Sequence, residues 1–209
     1  MKTLEQKLGY TFHDRTLLEG ALCHSSYANE HRAGGARSNE RLEFLGDAVL
    51  GLVTADYLYH KHPDLPEGDL TRIRAALVCE ESLHEAAQSL GLGDYLKLGR
   101  GEESGGGRQR PSILADATES VFAAVYLDGG MEEARAIIHR VLLDREREEV
   151  VQERRRDYKT ALQELGPDHC RVVVMEVRLD GETVGRGEGR SKKNAEQAAA
   201  RSALEELSK

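Results

Sequence analysis

Cysteine is scarce in this chain: Cys23, Cys79 and Cys170 are the only three in 209 residues, far apart and without a Cys-x-x-Cys pair. An odd, dispersed set does not read as a disulfide framework and points to a reducing compartment. Zinc is disfavoured too, because the eight histidines are scattered and no Cys/His spacing fits a tetrahedral site. Long apolar runs are absent as well. The start, Met1-Lys2-Thr3-Leu4-Glu5-Gln6-Lys7, has no apolar signal core, and nothing later approaches the roughly 20 residues of a membrane span. A soluble, cytoplasmic protein with no membrane partner is expected. No nucleophile elbow is visible, so Ser or Cys covalent catalysis has little support.

An excess of positive charge is also missing. The chain carries 29 Lys+Arg against 37 Asp+Glu, a net charge of −8. Residues 151–209 are nearly neutral, with 12 basic and 11 acidic residues, which leaves 26 acidic against 17 basic in residues 1–150. This balance argues against a simple electrostatic glue for nucleic acid, but leaves room for local basic patches or a cation-filled acidic site.

What is present is helical periodicity, almost unbroken to about residue 143. It is interrupted at Arg32 to Ser38, at His62 to Gly68 and at Gly99 to Pro111, where turn-forming residues cluster. The last break is glycine-rich with three arginines and reads as a mobile basic loop. Leu70, Ile73 and Leu77 form a stripe behind Asp69, a suitable N-cap, with Glu67 at the helix entrance. Ile113, Leu114, Ala117, Val121, Ala124 and Val125 describe another helix, which Asp128-Gly129-Gly130 should end. Asp144 to Arg156 is almost entirely charged and reads as a linker. Beyond it the pattern predicts a short helix over 157–165 and a strand over 172–179 with Val173, Met175, Val177 and Leu179 on one side. An Asp180-Gly181 hairpin turn and a last helix with Ala195, Ala198, Ala199, Ala203, Leu204 and Leu207 inward follow.

Within the helical part, Glu40, Glu43 and Asp47 stand at i, i+3 and i+7, stacked on one helix face. Like charges at that spacing repel by a few tenths of a kcal/mol, so something positive must sit opposite them. Asp116 and Glu119 form a second pair inside an apolar helix, where burial is costly unless the acids bind cations or share protons. A lone acid pair is more often a cap or a surface ion pair. Two pairs in one small domain favour an oxygen-rich cage for a hard divalent cation such as Mg²⁺, as phosphoryl transfer requires.

The run Asn39-Glu40-Arg41-Leu42-Glu43-Phe44-Leu45-Gly46-Asp47-Ala48-Val49-Leu50 resembles the signature of ribonuclease III. The likeness continues through His24 to Glu30, Glu67 to Arg72 and Ser112 to Asp116, and covers nearly the whole chain. It implies an all-α endonuclease domain over residues 1–143, a charged linker over 144–156, and a small α+β (α-β-β-β-α type) double-stranded RNA-binding domain over 157–209. It further implies a homodimer that cuts double-stranded RNA with Mg²⁺, Mn²⁺ substituting, in ribosomal precursor and messenger RNA processing. Position by position, Glu43, Asp47, Asp116 and Glu119 match the metal-binding acids, Glu119 most directly. Glu40 and Glu67 match auxiliary acids, and Phe44 a residue that packs into the partner subunit.

In the C-terminal module, Gly187 to Glu196 resembles the segment where Lys192, Lys193 and a helix N-terminus meet phosphates. Thr160 and Gln163 match residues that reach minor-groove hydroxyls, and His169 matches the loop entering the next minor groove. One departure stands out: Leu165 runs directly into Gly166-Pro167, where the family's module has a loop and a first strand. Either the module is shortened to a two-stranded sheet, marginal on its own, or a stretch between Leu165 and Gly166 is missing from this sequence, the reading that the close match of the flanking residues favours. The rival readings are a non-catalytic RNA-binding protein, which has no reason to keep mutually repelling acids, and a nucleotide phosphohydrolase, which has no need of the second module.

Overall fold

The computed structural model describes residues 1–145, 172–179 and 181–207. The chain divides into two compact units, Met1–Arg155 and Arg156–Lys209. Most of the expected linker and the helix over 157–165 lie outside the described residues.

In the first unit, α1 (Lys2–Leu8) ends at Gly9, whose φ of 61° closes the helix in the left-handed region. Helix α2 (Arg15–Ala21) begins where the Asp14 carboxylate accepts the Thr16 N–H at 2.9 Å, and α3 (Ser25–Glu30) follows His24. The 22-residue α4 (Glu40–Lys61) buries Gly46, Val49, Leu50, Val53, Thr54 and Leu58 on one face. Helices α5 (Glu67–Leu77) and α6 (Glu80–Leu90) lead through a short turn to α7 (Arg100–Ser104). The long α8 (Pro111–Val141) opens with proline in its first turn, where the missing N–H has no helical partner to lose.

Helix α8 is the axis of the domain and packs against α2, α4 and α6. From Ile113 to Val125 every residue is buried except Asp116 and Glu119, which are half-buried. A helix buried all round belongs inside a core, and these two acids are the only charged residues in its central turns, the polar Thr118 and Ser120 being fully buried.

Three expectations for this unit need correction. The Gly99 to Pro111 stretch is not a mobile loop, because α7 and a 3-10 turn at Gly107–Gln109 order it. Arg108 there pairs with Glu103 at 2.5 Å and donates to the Gly93 and Leu96 carbonyls, and Arg110 pairs with Glu102 at 2.5 Å. Asp69 is not the N-cap of α5: Pro66 holds that place, Glu67 opens the helix, and Asp69 pairs with Arg72 one turn on. The helix of Asp116 does not stop at Asp128-Gly129-Gly130 either. Its axis breaks at Gly130, with φ 83°, and resumes to Val141 because Ala134, Ile137 and Ile138 still have core to fill.

In the second unit, β1 (Val173–Leu179) pairs antiparallel with β2 (Glu182–Gly189), and Gly181 takes φ 92° in the expected hairpin turn. These two strands are the whole sheet among the described residues. Helix α9 (Lys192–Leu207) lies on the hairpin through Ala195, Ala199 and Ala203. A Cβ at Gly187 would strike the α9 backbone at Ala198 and Ala199, so glycine on the strand and alanine on the helix let the two touch directly. That contact stripe is narrower than the sequence suggests. Val173, Met175 and Val177 are half-buried, whereas Leu179, Leu204 and Leu207 are exposed instead of facing inward.

Candidate active site

The acids meet where α4 crosses α8. Gly46 has no side chain, and a Cβ there would fall on the carbonyl group of Glu119, so the helices approach backbone to backbone. Asp47 follows Gly46 directly, and Glu43 stands one turn before it. Asp116 and Glu119, one turn apart on α8, complete the group.

Their electrostatics show the crowding. Burial, then Asp47, Glu43 and Asp116, push the Glu119 carboxyl up to about 7. Glu43 is raised by burial first and by Asp116, Glu40 and Asp47 after it. Asp116 is raised by burial, an effect that the His24 imidazole opposes and Glu80 adds to. Glu40 is therefore drawn into the group through Glu43, while its exposed carboxylate accepts the Ser38 hydroxyl at 2.6 Å. Glu67 is not among the acids that raise these groups. It lies exposed at the start of α5, accepting the Thr71 hydroxyl at 2.7 Å.

An all-oxygen set of ionisable carboxylates suits a hard divalent cation, whose charge would relieve this repulsion. Among the described residues no three such side chains are already drawn into a closed metal cluster.

Several residues that build the site escape a reading by residue type. Asn39 is buried at the head of α4, where its amide donates to the Ala21 carbonyl at 3.2 Å and its N–H to the Cys23 carbonyl at 2.8 Å. Ser120, beside Glu119, donates its hydroxyl to the Asn39 carbonyl at 3.4 Å. Gly46 carries the one signal visible beforehand, since glycine inside a helix costs about 1 kcal/mol against alanine and calls for a reason. His24 and Glu80, neighbours of Asp116, come from other elements of the fold.

Phe44 points away from the core and is 81% exposed. Lys192 and Lys193 occupy the exposed first turn of α9, where the Ser191 hydroxyl accepts the Asn194 N–H at 3.2 Å. Thr160, Gln163 and His169 lie outside the described residues.

A helical domain with a group of acids where α4 crosses α8, followed by a separate α+β module, is an arrangement that known proteins share. Residues 14–146 match the family described as Ribonuclease-III-like, and residues 149–207 match the double-stranded RNA binding motif. The chain is 48% identical over 224 residues to Ribonuclease 3 of Caldanaerobacter subterraneus subsp. tengcongensis, covering 98% of this chain and 96% of that one. It is 43% identical over 222 residues to Ribonuclease 3 of Listeria welshimeri, with the same coverage of 98% and 96%. Both spans exceed the 209 residues of this chain, so the relatives hold positions that it lacks. Among solved structures, the nuclease domain of ribonuclease III from Campylobacter jejuni is 47% identical with a TM-score of 0.63, covering 67% of this chain and 94% of that one. That structure is described for flexibility in a region involved in dimer formation.

The chain belongs to the ribonuclease III family. It is a double-stranded RNA endoribonuclease with a double-stranded RNA binding motif behind its nuclease domain.

Proposed function

We propose that the enzyme hydrolyses both strands of duplex RNA at the acid group of α4 and α8, leaving 5′-phosphate and 3′-hydroxyl ends. The observation that carries this reading is the convergence of Glu43, Asp47 and Asp116 on Glu119, whose carboxyl burial and those three acids push up to about 7. These four carboxylates would hold Mg²⁺, or Mn²⁺ in its place. When bound, the cation lowers the pKa of a coordinated water and holds the charge that develops on the phosphate. Glu119 is the acid most relieved by positive charge, and its carboxylate faces the greatest penalty without it. Glu40 acts as an auxiliary acid through its coupling to Glu43. Glu67 is assigned the same role on the family resemblance alone.

Cutting two strands calls for two such sites, hence a homodimer. The exposed Phe44 ring supports this, as does a cavity of about 820 Å³ on the same domain whose apolar wall includes Leu17, Leu42, Leu45 and Leu127. A two-fold interface lets each copy donate the ring and receive it. Residues 1–143 are the nuclease domain, 144–156 the linker and 157–209 the RNA-binding domain. There Lys192 and Lys193 meet phosphates, and Thr160, Gln163 and His169 face minor grooves. Among the described residues no helix is long and apolar enough to cross a membrane. The proposed setting is the processing of ribosomal precursor and messenger RNA in the cytoplasm.

The test is a gel assay of end-labelled long duplex RNA in Mg²⁺ with the native chain and with Glu119→Ala. Short duplex products from the native chain, and binding without cutting by the variant, are expected. Binding without cutting by both would remove the catalytic reading of these acids.

A further inference from the structure

Two wholly buried hydroxyls flank Glu119 on α8, and they are used differently. Thr118 donates to the Leu114 carbonyl of its own helix at 2.8 Å, the ordinary habit of a hydroxyl inside a helix, and its oxygen lies 3.4 Å from the Leu83 carbonyl of α6. Ser120 does not turn back on α8. Its hydroxyl donates to the Asn39 carbonyl at 3.4 Å, across to the head of α4.

That carbonyl is a junction. It also accepts the Leu42 N–H at 2.8 Å and the Glu43 N–H at 2.9 Å, so one oxygen holds both the backbone of Glu43 and the residue after Glu119. An oxygen with two lone pairs serves three donors unequally, and the hydroxyl is the most distant of them. Asn39 is itself anchored, because its buried amide donates to the Ala21 carbonyl at 3.2 Å and its N–H to the Cys23 carbonyl at 2.8 Å. Further along α4, Gly46 meets the Glu119 carbonyl backbone to backbone. The two helices therefore touch at two points, Asn39 with Ser120 and Gly46 with Glu119, and Glu43 lies between those points on α4. One contact leaves a pair of helices free to rotate about it, whereas two fix how they cross.

We propose that Ser120 is a positioning residue whose hydroxyl, held on the Asn39 carbonyl, fixes how α4 crosses α8 and so sets the spacing at which Glu43 and Glu119 grip a divalent cation. The inference rests on the reading of those acids as cation ligands. Groups that orient metal ligands without touching the metal typically matter by ~10- to 100-fold in affinity or activity. Removing this hydroxyl orphans no buried group, since the Asn39 carbonyl keeps its two helical N–H donors and alanine suits a helix interior.

The test is calorimetric titration of the full chain with Ca²⁺ in the absence of RNA, alongside kcat and KM for duplex RNA cleavage in Mg²⁺. Ser120→Ala removes the bond to α4, and Thr118→Val removes the hydroxyl on the other side of Glu119 while leaving that bond in place. The expected result is Ca²⁺ affinity at least ~10-fold weaker for Ser120→Ala and within about 3-fold of native for Thr118→Val. For Ser120→Ala, kcat should fall at least ~10-fold with KM for the duplex and Tm nearly unchanged. If Glu119→Gln weakens Ca²⁺ binding while Ser120→Ala binds and cuts like the native chain, the role of Ser120 is overturned and the ligand reading stands. If the native chain takes up no Ca²⁺, or Glu119→Gln binds as well as native, the ligand reading itself fails and the proposal with it. Equal weakening by Ser120→Ala and Thr118→Val, accompanied by a lowered Tm in both, would show hydroxyls that only stabilise the core and also overturn the proposal.

Discussion

Gly46 on α4 rests against the peptide carbonyl of Glu119 on α8, with no room between them for a Cβ. This backbone contact sets the spacing of the acids on either side of it. In Gly46→Ala, overpacking of ~1–3 kcal/mol outweighs the ~1 kcal/mol of helix propensity gained. A lower Tm by calorimetry and at least about a tenfold loss of cleavage are expected. Native-like cleavage by this variant would show that the contact is not what aligns the site.

Glu119 is held at about 7 by burial and by Asp47, Glu43 and Asp116, against about 4.3 in an unfolded chain. Between those values the folded state binds the extra proton, so this group's contribution to stability is fully present below about pH 4 and is lost as pH rises through about 7. Glu119→Gln should therefore raise the Tm by a few degrees at pH 8 in chelator, and by much less at pH 5. Equal shifts at the two pH values would contradict the coupling.

Asp128 behaves in the opposite sense. Burial raises its carboxyl, but the N–H groups of Asp14 and His13, the Tyr10 hydroxyl and the His13 ring overcome that and hold it at about 2. The same bonds tie the segment before α2 to the last turn ahead of the Gly130 break, each backbone donor at 2.8 Å. Asp128→Asn should cost ~1–3 kcal/mol near pH 6. Because the folded value is depressed, the gap between native and variant should close as pH falls from about 4 towards 2. Urea denaturation at pH 6 and at pH 3 measures it, and a gap independent of pH would refute the assignment.

Phe44 contributes little to its own domain, being 81% exposed. Phe44→Ala is expected to change the intrinsic stability of a protomer by no more than ~0.5 kcal/mol while shifting sedimentation from dimer towards monomer. An unchanged dimer would place the interface elsewhere.

Lys192 and Lys193 sit in the exposed first turn of α9. Replacing both with alanine should weaken duplex RNA binding evenly across sequences and flatten the log–log salt dependence by about 1–2. A salt slope identical to native would exclude them as phosphate contacts.

Much of the nuclease domain is legible along the chain because burial of a helix leaves a period. Residues 113–125 read as a core helix, and Asp116 and Glu119 stand out as its only charged residues. The segment from Gly99 to Pro111 misleads for the opposite reason. Its glycines and arginines have the composition of a loose basic loop, whereas Glu102 and Glu103 neutralise Arg110 and Arg108 and the carbonyls of Gly93 and Leu96 take up the rest. Leu204 and Leu207 satisfy an inward period, but Gly185 and Gly187 bring α9 down on its alanines and leave those leucines outside.

By itself, the sequence determined the helical class, the position of the hairpin turn and the residue types of the acid group, because periodicity, turn chemistry and the cost of repeated like charges are local properties. Only the tertiary structure decided that Glu40 acts on Glu43 and that Gly46 yields its side chain to the Glu119 carbonyl. Those outcomes depend on which distant backbones meet, and a carboxylate's protonation follows the charges and burial around it in space rather than its neighbours along the chain.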